Sequence, residues 1–121
     1  MLERRATSAI AWITILTGAL QIVAPTALLP FLGVDPEANS THLFSTIGMF
    51  MTLFGGAVLH AQLRREALPI VLLWAAFQKI GASLLVVWGV SRGVFFPLTL
   101  LVAAFDFASG LLFADLRRRG G

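Results

Sequence analysis

Apart from Lys79 and Asp106, every charged residue of the chain falls in one of five short stretches, 3–5, 35–37, 64–66, 92 and 115–119. Between these stretches lie four long apolar segments, each near the ~20 residues that a helix needs to cross the hydrocarbon core of a bilayer. Charged residues make up only 12% of the 121 and hydrophobic residues 58%, with a mean hydropathy of +0.88. A soluble domain of this length has too little interior to hide so much apolar surface. The chain therefore reads as one all-α domain over 1–121, an integral membrane four-helix bundle whose first partner is the lipid bilayer.

The spans are expected at 8–24, 43–59, 68–90 and 94–114. Pro25 and Pro30 kink or end the first, because proline lacks a backbone donor and clashes with the preceding turn. "FLGVDPEANST" reads as a turn-rich loop, with Ser40 or Thr41 capping the second span. Pro69 is tolerated in the first turn of the third. "SRG" makes a tight connection to the fourth. Such short loops favour sequential antiparallel neighbours, an up-down-up-down bundle. The opening "MLERRATSAIAWITILTGALQIVA" has the basic start of a signal peptide, but no clear A-x-A site follows. Its removal would leave a three-helix remainder, so a retained first helix is favoured. Neither an internal repeat nor a low-complexity segment is present.

Orientation follows from the basic residues of the short flanks. Arg4, Arg5, Arg64, Arg65 and Arg117 to Arg119 share one side of a four-span bundle, against Arg92 alone on the other, a ratio of seven to one. Under the positive-inside rule both termini are cytoplasmic, and the expected location is the bacterial inner (cell) membrane, multi-pass. Trp12 and Trp88 fall where aromatic belts occur. The net charge of +3 does not imply nucleic acid as a partner, because the arginines flank apolar segments and form no basic face. They fit anionic headgroups better.

Two charges break the pattern. Lys79 lies twelve residues before Ser91, or roughly 18 Å below the outer turn on a helix. Asp106 lies thirteen residues after Gly93, or roughly 20 Å below the same turn. An ammonium and a carboxylate thus fall at matching depth on adjacent antiparallel helices. The residues three and four away are mostly small, Ala75, Ala76, Ala82 and Ser83 beside Lys79, and Val102, Ala103, Ser109 and Gly110 beside Asp106. Small residues let membrane helices approach closely, so both charges are expected to face the interior as an intramembrane ion pair. A lone charge at mid-bilayer costs at least ~2.5–3.5 kcal/mol. A structural clamp between the last two helices is the plainest reading; a proton or substrate site is the sharper one.

Other polar positions are weighed the same way. Gln78 is expected to bond to another helix, and Gln21 to play a structural part in the first span. Ser45, Gly48, Thr52, Gly55 and Gly56 form a small-residue stripe suited to helix packing, to which Gly81 and Gly110 are added. Packing within the bundle is preferred to dimerisation. His42 and His60 are eighteen residues apart, or ~27 Å along a helix, so they cannot share a metal. His60, Gln62 and Arg64 read as an interfacial cluster. There is no cysteine, and no metal or other cofactor is expected. "Asn39-Ser40-Thr41" matches a glycosylation acceptor, but such short matches arise by chance. No catalytic motif is found.

The stretch "FQKIGASLL … FPLTLLVAAFDFASGLLFADLRRR" resembles small bacterial four-helix membrane proteins of the DoxX-like and BphX-like kind. There a basic residue near a glycine recurs in the third helix, and an Asp followed seven residues later by Phe in the fourth. The matching residues are Lys79, Gly81, Asp106 and Phe113. The resemblance implies the four-helix architecture, and some members of those families accompany oxidoreductase or hydrocarbon-degradation systems. Three functions are carried forward. The first is a non-enzymatic accessory or scaffold component, with a membrane-protein partner or a homo-oligomer. The second is a small proton-coupled transporter of a hydrophobic or cationic solute using Asp106 and Lys79. The third is an enzyme or binder of a lipid-like substrate.

Overall fold

The computed structural model describes residues 2–120. Four long helices, α1 (Leu2–Val23), α3 (Ala38–Arg64), α4 (Leu68–Ser91) and α5 (Leu100–Arg118), each form an apolar rod long enough to span a membrane; a 3₁₀ turn, Pro97–Thr99, leads into the last. A short helix α2 (Pro25–Leu32) follows α1. Among the described residues there is no strand.

Most buried positions of the chain are small residues, with Leu68, Leu72 and Phe113 the largest fully buried exceptions. The buried positions of α1 are Thr7, Ala11, Thr14, Gly18 and Gln21, spaced four, three, four and three apart, which is one stripe of a helix. Large side chains such as Trp12, Leu16, Phe50, Trp74, Leu85 and Leu101 face outward. In water this would be inside out. In lipid, apolar surface gains little by turning inward, so close packing of small residues and interhelical hydrogen bonds hold the helices together instead.

Two tight pairs result, α1 with α3 and α4 with α5, and the pairs meet through sparser α3–α4 and α1–α5 contacts. The long helices thus form a ring in which α1 and α4 stand on a diagonal. Gly18 and Gly48 make the first pair possible. A Cβ on Gly48 would lie 2.5 Å from the Gly18 carbonyl oxygen, and one on Gly18 would collide with the carbonyl oxygen of Gly48 and lie 2.6 Å from Thr52 Oγ1. Gly55 meets Ile15 and Ala11 in the same way, and Gly110 meets Ile80 and Ala76 across the second pair. Gly56 and Gly81 differ from the packing role expected of them, since a Cβ on either would meet nothing within 4 Å. Their small size admits no neighbouring helix.

One end of the bundle gathers both termini of the helical core. Arg119 Nε lies 3.2 Å from Glu3 Oε1, Gln62 Nε2 donates to Ser8 Oγ at 2.8 Å, and Arg117 Nε donates to the Pro69 carbonyl at 3.0 Å. These contacts tie the starts of α1 and α4 to the ends of α3 and α5, as up-down-up-down order requires.

The helix ends depart from the expected spans. α1 begins at Leu2 and α3 runs on to Arg64, because Arg and Glu are good helix formers and continue the rods past the apolar cores. Pro25 opens α2 at its first position and Pro30 lies inside it, so Phe31 and Leu32 are helical rather than part of a loop. Gly33, at φ +86°, then ends α2, with Val34 N–H donating to the Leu29 carbonyl at 3.1 Å, a left-handed cap that glycine adopts without strain. The cap of α3 is Glu37, not Ser40 or Thr41; Ser40 Oγ instead accepts from the Glu37 N–H at 2.9 Å, completing a reciprocal capping box. The fourth rod begins at Pro97 rather than Val94. Pro97 holds Phe96 extended (φ −65°, ψ 149°), and Phe96 N–H donates to the Leu32 carbonyl at 2.8 Å.

Candidate functional site

The polar centre of the bundle is built on Lys79, in the middle of α4 and only 4% exposed. Its Nζ donates to Thr14 Oγ1 of α1 at 2.7 Å and to Asp106 Oδ1 of α5 at 3.4 Å. Ammonium–carboxylate bonds are commonly about 2.7–2.9 Å, so the contact to Asp106 is loose and the one to Thr14 close. The Thr14 hydroxyl donates in turn to the Ile10 carbonyl at 2.9 Å, which leaves its lone pairs for Lys79. The ring of Phe105 lies 5.6 Å from Nζ, within the range of a cation–π attraction.

Local sequence explains why this charge is reachable. Ala75, Ala76 and Ser83 on α4 and Ala103, Ser109 and Gly110 on α5 are buried, and they keep the two helices close beside the pair. Ala82 is only half-buried and Val102 is exposed. Below the pair, Phe113 is among the largest fully buried side chains.

The other polar residues singled out by sequence do not join this centre. Gln78, half-buried, makes no hydrogen bond among the described residues, contrary to the interhelical bond expected of it; it lines a small cavity with Lys79 and Thr14. Gln21 belongs to the α1–α3 contact. Its Nε2 donates to Met51 Sδ at 3.2 Å, its carbonyl accepts from Ser45 Oγ at 3.2 Å, and its Oε1 is buried without a partner. Seven residues separate it from Thr14, about 10 Å along the helix. Thr52 Oγ1 bonds the Gly48 carbonyl at 2.9 Å and serves the same contact. His42 and His60 are exposed at opposite ends of α3. Gln62 reaches Ser8 rather than His60. Among the described residues no group of three His, Asp or Glu side chains is placed to hold a metal ion.

Sequence reasoning missed Thr14. Its signal was the α1 stripe itself, where Thr7, Thr14 and Gln21 recur every seven residues among leucines and isoleucines. A second polar group was also missed, at the end of the bundle, where Asp115 bonds Arg118 at 2.7 Å and Arg119 at 3.0 Å while Arg119 reaches Glu3.

Chemically, the centre holds a cation, its counter-charge and a hydroxyl on three different helices. Comparison with protein-family models, with curated proteins and with solved structures finds no match.

Proposed function

We propose that the chain is a non-enzymatic accessory or scaffold component of a bacterial inner membrane, with Lys79 as an internal clamp. The observation that supports this is the placement of one ammonium against Thr14 of one helix pair and Asp106 of the other. A bundle whose two pairs meet through few contacts gains its fixed register from such a bond. The broad outward face of Trp, Phe and Leu suits lipid or another membrane protein. Kinship with the DoxX-like and BphX-like families is part of this reading, as are cytoplasmic termini. The test is purification from native membranes in mild detergent. A membrane protein that co-purifies in constant ratio supports the scaffold, whereas a solitary chain that moves protons and solute in reconstituted vesicles overturns it.

The second reading, a proton-coupled transporter of a hydrophobic or cationic solute, draws on the burial of two ionisable side chains, Lys79 and Asp106, midway along the bundle. In that reading a folded variant lacking both charges is inactive; in the clamp reading it works.

A further inference from the structure

An ammonium carries three N–H donors. Two of those of Lys79 are taken by Thr14 Oγ1 and Asp106 Oδ1, and burial keeps bulk water from the third. Thr14 Oγ1, which accepts from Lys79 and donates to Ile10, still has a lone pair. Gln78 brings an amide with two donors and an acceptor, none bonded among the described residues. These three side chains line one cavity of about 10 Å³, and Phe54, Val58 and Phe113 supply apolar wall. That volume is about the least that accommodates a water molecule. No larger polar solute fits.

We propose that this cavity binds a single water molecule, which accepts from Lys79 and donates to Gln78 Oε1 and Thr14 Oγ1. Three bonds are the usual complement of a buried water. The site satisfies the third ammonium donor, and it gives the Gln78 amide a partner where hydrocarbon offers none. It rests on the clamp reading in one respect, that Lys79 is held against Thr14.

Lys79 is the only lysine in the chain, so its side-chain ammonium gives one nitrogen resonance of its type. The test is solid-state NMR transfer of magnetisation from water to that nitrogen, in the ¹⁵N-labelled full chain reconstituted into phospholipid vesicles. Transfer is expected in the wild type. It should be lost in Gln78→Leu and also in Ala75→Val, which fills the cavity without removing a polar group. If one variant does not fold, the other decides. No transfer to the wild-type ammonium overturns the proposal. Transfer that survives unchanged in a folded variant shows that water reaches Lys79 by another route, and overturns the site as drawn. Failure of that contact reads out elsewhere, as a Thr14→Val protein no less stable than wild type.

Discussion

The ammonium of Lys79 lies nearer the hydroxyl of Thr14, at 2.7 Å, than the carboxylate of Asp106, at 3.4 Å. The two contacts do different work. α4 and α5 already pack along each other, so the ion pair neutralises charge within one helix pair. α1 and α4 stand on the diagonal, so the hydrogen bond to Thr14 ties the pairs together at the centre of the bundle, as Glu3–Arg119 does at its end.

Removing that link should have a modest, measurable cost. Interhelical hydrogen bonds in membrane proteins average about 0.6 kcal/mol and reach about 1.7. Thr14→Val, which keeps shape but deletes the hydroxyl, should lose stability within that range, and Thr14→Ser should retain most of it. Reversible unfolding in detergent gives the numbers. A Thr14→Val protein as stable as wild type would show that the bond holds nothing together.

Lys79→Ala leaves a carboxylate without its cation, and Asp106→Ala does the reverse. Each should destabilise by about 3–5 kcal/mol, the typical loss on breaking a buried pair. Replacing both, Lys79→Met with Asp106→Leu, should recover much of the loss because no stranded charge remains. The four-variant cycle yields the coupling directly. Additive losses would mean that the two side chains do not interact.

Glycines separate cleanly by what surrounds them. Gly48→Val puts a branched side chain against the Gly18 carbonyl and should cost about 1–3 kcal/mol, as overpacking does. Gly81→Ala has open space and should be neutral or gain up to about 1 kcal/mol from reduced backbone freedom. Thermal melts of the two variants should diverge in sign or size; equal losses would contradict the packing of α1 on α3.

Topology is open to a direct test. A reporter active only outside the cytoplasm should be silent when fused after Arg119 and active when inserted between α2 and α3. The basis is the seven-to-one excess of arginine at the end that holds both Glu3 and Arg119. Activity at the C-terminal fusion would reverse the orientation.

The four rods were legible because long apolar runs bounded by charge allow few alternatives in a chain this short. Their ends were not. Hydropathy falls off at Arg64 and Glu3, yet the backbone continues helical there, since helix propensity and hydropathy are separate properties. α2 was hidden by its prolines. Pro25 does end the first span, as expected, but proline at the first position of a helix costs little, so it also opens the next. Depth counting from the Ser91–Gly93 turn aligned Lys79 with Asp106 despite starting the last rod three residues early. Val94 N–H already bonds the Gly89 carbonyl and Phe96 is extended, so these residues take up depth before the rod begins. Thr14 escaped notice because a threonine among isoleucines changes hydropathy little, and nothing in its own helix marks it as an acceptor for a lysine 65 residues away. The glycines of α3 could not be sorted by sequence at all; Gly55 and Gly56 are neighbours, and only the helix rotation decides which one meets α1.

Chain order gives the Thr14–Lys79 bond a place in time. Synthesis delivers Thr14 65 residues before Lys79, whereas Asp106 follows 27 residues after it. When α4 leaves the ribosome, its ammonium has no counter-charge to meet. The hydroxyl on α1 is already there, beside the glycines that let α1 and α3 close on each other. Of its two partners, Thr14 is thus the one that synthesis makes available to the lysine first, and the carboxylate comes only with the last span.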